Sequence, residues 1–183
     1  TLGFSADIDE ISLRNLMITA LNNANSAIYE ISHEEDDKNG MGTTCVAAIA
    51  INDIIYIINV GDSRAYRVFD GGIQQITHDH TFVRRLIDEG KLTRDEARFH
   101  PDRNKITRAI GAAPEVTPDF FKLEFKKGSK IILCSDGLSS YVADEEIGKT
   151  ALSLPSDSIC EKLITLANKN GGGDNISVAL IEH

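Results

Sequence analysis

The chain has 183 residues, which fits one compact domain, and its content of 42 % hydrophobic and 26 % charged residues is that of a globular protein and not of a disordered one. The formal net charge of −9 argues against nucleic acid as a partner, because phosphate backbones are bound by clustered Lys and Arg. No apolar stretch reaches the ~20 residues that a membrane-spanning helix needs, so we expect no membrane partner.

The three cysteines, Cys45, Cys134 and Cys160, are widely spaced and odd in number. This pattern is neither a disulfide framework nor a zinc motif. Two of the three lie in apolar runs, where a free cysteine behaves as a small hydrophobic residue. We therefore expect free thiols and a reducing, cytoplasmic compartment.

The first predicted element is a long amphipathic helix over residues 9–33, where apolar side chains recur at helical spacing and Asp9 is placed to cap the N-terminus. Two apolar runs, CVAAIAI and IIYIINV, then flank Asn52-Asp53, a pair that suits a tight hairpin turn. Because both runs are apolar almost throughout, both of their faces are expected to be covered.

A second hairpin is predicted around Gly71-Gly72, with strands over residues 65–69 and 73–76. Residues 78–110 are charged and partly helical, and they read as an excursion from the sheets. The remaining predicted elements are strands over 121–125 and 130–134 around Lys127-Gly128, helices over 144–152 and 157–169, and a strand over 175–181. Hairpins between helices, without a repeating strand–helix–strand rhythm, indicate an α+β fold of antiparallel sheets sandwiched by helices.

Three aspartates stand at the ends of apolar strands beside Gly or Ser: Asp62 in VGDSR, Asp136 in CSDGL and Asp174 in GGGDNIS. A strand end fixes a side chain at the rim of a sheet, and small neighbours leave room for a ligand. Hard cations such as Mg²⁺ and Mn²⁺ prefer carboxylate oxygens, so clustered aspartates are a plausible cage for them. Any one Asp-Gly step alone is more often a plain turn.

Five motifs together resemble the bacterial branch of the PPM (type 2C) family of metal-dependent protein serine/threonine phosphatases. They occur in the family's order and span nearly the whole chain: GMGTTCVA (41–48), VGDSRAY (60–66), residues 76–111 with HDH and HPDRN, ILCSDGLSSYV (132–142) and GGGDNISVAL (171–180). The resemblance implies a four-layer α-β-β-α sandwich that hydrolyses phosphoserine and phosphothreonine on proteins with a metal-activated water.

The same resemblance implies roles for individual residues. Asp136 and Asp174 would hold one ion of a Mn²⁺ or Mg²⁺ pair, and Asp62 would belong to a weaker third site. The residues that would support this metal site are Asn175, Ser135 and Gly137. Residues 77–110 would form a flap beside the active site, with His80, Asn104 and Arg108 in it. Phosphorylated proteins would be the substrates, and a partner Ser/Thr kinase is expected to act on them.

Two family segments have no counterpart in the sequence, namely a phosphate-binding Arg and an Asp-Gly-Met-Gly-Gly motif whose aspartate bridges the two metals. Gly40-Met41-Gly42 lacks the leading aspartate. We therefore expect residues 1–183 to be an N-terminally truncated catalytic domain, weak or inactive alone.

The alternative is a catalytically dead phosphatase-like domain that binds phosphoproteins or regulates a partner. A cysteine phosphatase is excluded, because no Arg lies six residues after any of the cysteines.

Several side chains keep two interpretations. His78 and His80 are either metal ligands or part of a polar turn that opens a helix. Arg64 either orients Asp62 or only solvates a strand end. Arg84 and Arg85 read as a solvated helix face in preference to a substrate clamp, and Arg108 lies where the flap returns and is a candidate to approach phosphate.

Overall fold

The computed structural model describes residues 8–97 and 99–183. Within them the helices are α1 (Glu10–Glu34), α2 (Phe82–Asp88), α3 (Arg94–Ala97), α4 (Asp136–Ser139), α5 (Asp144–Ser153) and α6 (Ser156–Lys169), with a 3₁₀ turn at Asp36–Lys38. The strands are β1 (Cys45–Ile51), β2 (Ile54–Val60), β3 (Arg64–Phe69), β4 (Gly72–Gln75), β5 (Asp119–Glu124), β6 (Lys130–Cys134) and β7 (Val178–Glu182). None of the helices in this described part of the chain is long and apolar enough to cross a membrane.

The strands form two antiparallel sheets. One has the order β1-β2-β5 and the other has the order β4-β3-β6-β7. The turn at Lys127-Gly128 joins β5 to β6, so it passes between the sheets and is not the tip of a hairpin. The chain also changes sheets between β2 and β3, and this crossing contains Asp62.

Three apolar clusters hold four layers together, as the sequence predicts. Helix α1 packs on the first sheet through Leu13, Met17 and Leu21. The two sheets meet through a second cluster that includes Ile55, Ile57, Ala65, Phe125 and Ile131. Helices α4, α5 and α6 cover the outer face of the second sheet through the cluster Leu138, Val142, Ile147, Ala151, Ile159, Leu163 and Ala167. Burying one such Leu or Ile side chain contributes about 1.5–3 kcal/mol, so the α-β-β-α arrangement follows from the apolar pattern.

The start of α1 agrees with the sequence, since the Asp9 side chain accepts a hydrogen bond from the Ser12 main-chain N–H at 3.0 Å. Among the boundaries that differ, two concern the second sheet. Phe69 pairs with Gly72, so the two-residue turn between β3 and β4 is Asp70-Gly71 and the predicted Gly71-Gly72 turn is wrong by one residue. The last strand begins at Val178, three residues later than predicted, because the preceding residues bond to the loop after β6.

Candidate metal centre

The strand register brings three aspartates to one end of the second sheet. The first residue of β3, the last of β6 and the first of β7 pair side by side. Asp62 precedes β3, Asp136 follows β6 and Asp174 precedes β7. Carboxylates that are 112 residues apart in the sequence, from position 62 to position 174, are therefore neighbours in the fold.

The protonation of Asp62 and of Asp136 is affected by a neighbouring aspartate. Burial raises the pKa of Asp62 to about 6, and the negative charge of Asp136 adds to this rise. Burial also raises the pKa of Asp136, and the charge of Asp174 raises it further. Asp136 is thus the central member, with Asp62 on one side and Asp174 on the other. Carboxylates that repel each other in this way gain stability when a cation lies between them.

The carboxylate oxygens of these aspartates fit a divalent cation whose other coordination positions are filled by water or by further groups. Carboxylate oxygens are the ligands that Mg²⁺ and Mn²⁺ prefer. Within residues 8–97 and 99–183, no group of three or more His, Cys, Asp or Glu side chains is arranged to hold a metal ion. A cation at Asp136 and Asp174 would therefore need water, main-chain carbonyls or other groups to complete its coordination.

Ser135 ties the Asp136 loop to the Asp174 loop. Its main-chain N–H donates to the Ser177 carbonyl at 3.1 Å, and its hydroxyl accepts from the Ser177 N–H at 3.0 Å. The same hydroxyl donates to the Asn175 carbonyl at 3.2 Å, and the Asn175 N–H donates to the Asp174 carboxylate at 2.7 Å. These bonds therefore hold the main chain of Asn175 in place and do not involve its side chain.

Gly137 allows the two loops to touch. A Cβ atom built at this position would lie 2.3 Å from the Asn175 carbonyl oxygen, far inside van der Waals contact. Gly137 is buried in the first turn of α4, directly after Asp136. A side chain there would have to push the Asp136 and Asp174 loops apart.

The turn that carries Asp62 is held from both sides. Gly61 has a φ of +104°, and a Cβ atom on it would lie 2.3 Å from the Thr44 side chain, so the turn requires glycine here. The Ser63 and Thr44 hydroxyls hydrogen-bond at 2.8 Å. On the other side, the His80 ring accepts from the Gly61 N–H at 3.0 Å.

Arg64 does not orient Asp62 through a hydrogen bond. Its guanidinium forks onto the Asp79 carboxylate, with Nε 3.0 Å and Nη2 2.6 Å away, and it also donates to the Tyr66 hydroxyl at 2.9 Å. Nor does it merely solvate a strand end, since this ion pair is largely buried and joins the start of β3 to the segment after β4. Asp79 is a residue of this corner that sequence reasoning missed.

The flap residues lie at different depths. The two ends of the segment meet, because the Phe82 N–H donates to the Lys105 carbonyl at 2.8 Å and the Thr107 N–H donates to the His80 carbonyl at 2.8 Å. His80 is buried, directly before the Thr81 cap of α2, whereas Asn104 lies in an exposed turn.

Arg84 and Arg108 of this segment have carboxylate partners. Arg108 donates to Asp119 at 2.8 Å and to the Thr117 carbonyl at 3.0 Å. Arg84 pairs with Asp88 along its helix at 2.9 Å, as a solvated helix face would. Asp119, at the start of β5, was also missed, because nothing near it in the sequence distinguishes it.

The chain matches the family model described as Protein phosphatase 2C over residues 5–176. It is 42 % identical over 164 residues to the serine/threonine protein phosphatase PstP of Mycobacterium tuberculosis, a match that covers 89 % of this chain and 32 % of the relative. It is 40 % identical over 161 residues to the serine/threonine phosphatase stp of Listeria monocytogenes, covering 86 % of this chain and 63 % of the relative. The chain thus spans about a third to two thirds of the length of these relatives.

Solved structures agree with the sequence matches. The S. agalactiae serine/threonine phosphatase superposes with a TM-score of 0.91 at 37 % identity, over 95 % of this chain and 72 % of that one. The catalytic domain of PstP in complex with two manganese ions superposes with a TM-score of 0.85 at 37 % identity, over 95 % and 73 %. The match to the family model and the identity to these relatives show that this chain belongs to the protein phosphatase 2C family.

Proposed function

We propose that the chain is a metal-dependent protein phosphatase domain that hydrolyses phosphoserine and phosphothreonine on protein substrates. The observation that carries this proposal is the meeting of Asp62, Asp136 and Asp174 at one end of the sandwich, where burial and mutual repulsion raise the pKa of two of them. The relatives named serine/threonine phosphatase support the substrate class, and a Ser/Thr kinase would be the enzyme that produces it.

Each aspartate has a distinct role in the proposal. Asp136 and Asp174 would hold one ion of a Mn²⁺ or Mg²⁺ pair, and Asp62, beside Asp136, would belong to a weaker third site. When bound, such ions lower the pKa of a water molecule and neutralise charge on the phosphoryl oxygens. The solved PstP complex contains two manganese ions, which supports Mn²⁺ as the first ion to test. Asn175, Ser135 and Gly137 would fix the loops that present the carboxylates.

A second candidate is a phosphoprotein-binding module without catalysis. It is favoured by the absence, within the described residues, of a third acidic or imidazole ligand beside the aspartate pair. It differs from the first candidate in one respect, because a binding module would retain phosphoprotein without turning it over. We expect the same cytoplasmic compartment for a binding module as for a phosphatase, because three free thiols are typical of a reducing compartment in either case.

The deciding experiment compares Asp136→Ala and Asp174→Ala with the exposed control Asp157→Ala, each in the longest chain that expresses. We expect Mn²⁺-dependent release of phosphate from a phosphoprotein in the wild type and in the control. We expect a loss of at least about 100-fold in kcat in each of the two ligand variants, because metal assistance contributes several kcal/mol to such reactions. Unchanged turnover in Asp136→Ala would refute the metal assignment, and binding without turnover in the wild type would favour the second candidate.

A further inference from the structure

His80 and Gly61 are joined by two hydrogen bonds in opposite directions. The Gly61 N–H donates to His80 Nδ1 at 3.0 Å, and the His80 N–H donates to the Gly61 carbonyl at 3.0 Å. Gly61 directly precedes Asp62 in the turn between β2 and β3. His80 thus hydrogen-bonds to both main-chain polar groups of Gly61, the residue directly before a proposed metal ligand.

The tautomer of His80 follows from these contacts. Because Nδ1 accepts from a main-chain N–H, the proton of the neutral ring lies on Nε2, 3.2 Å from the Asp119 carboxylate. Burial lowers the pKa of His80, which keeps the ring neutral at pH 7. Arg108 lies 3.0 Å from Nε2, but both nitrogens then carry a proton, so this contact is not a hydrogen bond. Arg108 acts on Asp119, to which it donates at 2.8 Å.

The ring is held firmly enough to determine the position of the turn. His80 is only 8 % exposed, and Asp119 fixes its far nitrogen from strand β5. On its other flank the turn is held by the hydroxyl pair of Ser63 and Thr44 and by the buried Asn59 side chain, which contacts the main chain of the turn. Moving the His80 ring would leave the Gly61 N–H, one residue before Asp62, without its acceptor.

We propose that His80 is a positioning residue, which sets the Asp62 carboxylate for cation binding by accepting a hydrogen bond from Gly61 at Nδ1. The inference rests on the proposed function in one respect, namely that Asp62 binds a cation. It also makes the base of the flap and the Asp62 site one unit, since the Thr107 N–H at the far end of the flap donates to the His80 carbonyl at 2.8 Å.

The test uses a matched pair of substitutions. In His80→Asn the amide oxygen lies where Nδ1 lies in histidine, so the bond from Gly61 is retained. In His80→Gln the amide reaches the Nε2 position and the acceptor for Gly61 is lost. Two quantities are measured in the longest chain that expresses: the affinity for Mn²⁺ by titration with electron paramagnetic resonance detection, and the hydrogen-exchange rate of the Gly61 amide in metal-free protein.

We expect His80→Gln to weaken the Asp62-dependent Mn²⁺ site by about tenfold or more, a typical loss for residues that orient metal ligands, and to speed exchange of the Gly61 amide. His80→Asn should stay within about threefold of the wild type in both measurements. The loss in His80→Gln should vanish in an Asp62→Ala background, which identifies the site. Equal losses in His80→Asn and His80→Gln, or none in His80→Gln, would overturn the proposal.

Two further measurements keep the outcome clear. Thermal unfolding shows whether each variant folds. If His80→Gln does not fold, Asp119→Ala replaces it, with Asp119→Asn as its control, because only the alanine removes the acceptor for Nε2–H. Exchange of the Gly61 amide that is no faster in Asp119→Ala would then overturn the proposal. If the wild type binds no Mn²⁺, the proposed function fails, whereas the Gly61 exchange rates still decide whether His80 holds the turn.

Discussion

At the scale of single residues, the carboxylates of Asp62, Asp136 and Asp174, which we call the carboxylate rim, lower the stability of the fold but provide ligands for a cation. Asp62 and Asp136 both have a raised pKa, mainly because they are buried and secondarily because another aspartate is near. An ordinary surface aspartate would carry no such cost. This is what we expect of a site that binds a cation, because the buried carboxylates destabilise the fold when no cation is bound to them.

Replacing Asp62 with asparagine should therefore stabilise the metal-free protein. At pH 7 the wild-type side chain is ionised in both the folded and the unfolded chain, and only in the folded chain is the charge disfavoured. We expect Asp62→Asn to raise the free energy of unfolding by about 1–2 kcal/mol at pH 7, after allowance for solvent screening. Urea unfolding in the presence of a chelator measures the difference, with the exposed Asp102→Asn as the control.

The pH dependence gives this prediction its sign. The pKa of Asp62 is about 6 in the folded chain, against 3.8 for the free side chain. The folded state consequently binds this proton more tightly, and the contribution of Asp62 to the free energy of unfolding should rise as the pH falls from about 6 towards 4. The advantage of Asp62→Asn should shrink over the same window. An advantage that grew on acidification would contradict the assignment.

Residue-level detail is also where sequence reasoning fell short. The motifs singled out Asp62, Asp136 and Asp174 because each follows or precedes a buried strand and has small neighbours. They did not pair Arg64 with Asp79, or Arg108 with Asp119, because these partners are 15 and 11 residues apart and no periodic pattern links them. Which charged side chains meet depends on sheet register, and the register is set by packing across the whole sandwich.

At the scale of secondary structure, α1 also braces the loop that follows residues 77–110. The buried Asn25 side chain accepts from the Gly111 N–H at 2.8 Å and donates to the Ala113 and Pro114 carbonyls at 3.0 and 3.1 Å. Three main-chain groups of a loop are thus satisfied by one helix residue. The periodic pattern predicted the helix, but a polar residue on its buried face has no meaning until the loop is placed against it.

Asn25→Ala should be clearly destabilising. It leaves the Gly111 N–H without its partner in a buried position and removes two further hydrogen bonds, for which we expect a loss of about 2–3 kcal/mol in the free energy of unfolding. The matched control is Asn22→Ala, an exposed position on the same helix, which should change stability by less than about 0.5 kcal/mol. Equal effects at the two positions in urea unfolding would show that Asn25 does not brace this loop.

The order of elements was predictable because each has its own periodicity, and the assignment of strands to sheets was not. The local sequence that predicts β5 and β6 does not show which sheet each strand joins. Their connection at Lys127-Gly128 has the local signal of a hairpin, yet it joins the two sheets. The turn between β3 and β4 is a true hairpin, but sequence reasoning placed it at Gly71-Gly72, although the Asp70-Gly71 pair is itself a strong hairpin signal and is the turn that forms.

At the scale of the whole molecule, the sandwich has a net charge of −9 and gathers three carboxylates at one end. Binding of a cation there should stabilise the fold, because the unfolded chain scatters these ligands. A ligand at 100 times its dissociation constant stabilises the folded state by about 2.7 kcal/mol. We expect Mn²⁺ to raise the melting temperature of the wild type and to leave that of Asp136→Ala nearly unchanged.

The stabilisation by Mn²⁺ should also depend on pH in a direction that the rim dictates. Protons and the cation compete for the same oxygens, so the contribution of Asp62 should fade as the pH drops through about 6, its pKa in the folded chain. The unfavourable contribution of the ionised Asp62 to the metal-free protein also fades over that range, so the two melting temperatures, with and without Mn²⁺, should converge as the pH falls. Subtracting them cancels every group that does not touch the cation. A difference in melting temperature that held constant from pH 7.5 to about 5 would show that Mn²⁺ binds away from these carboxylates.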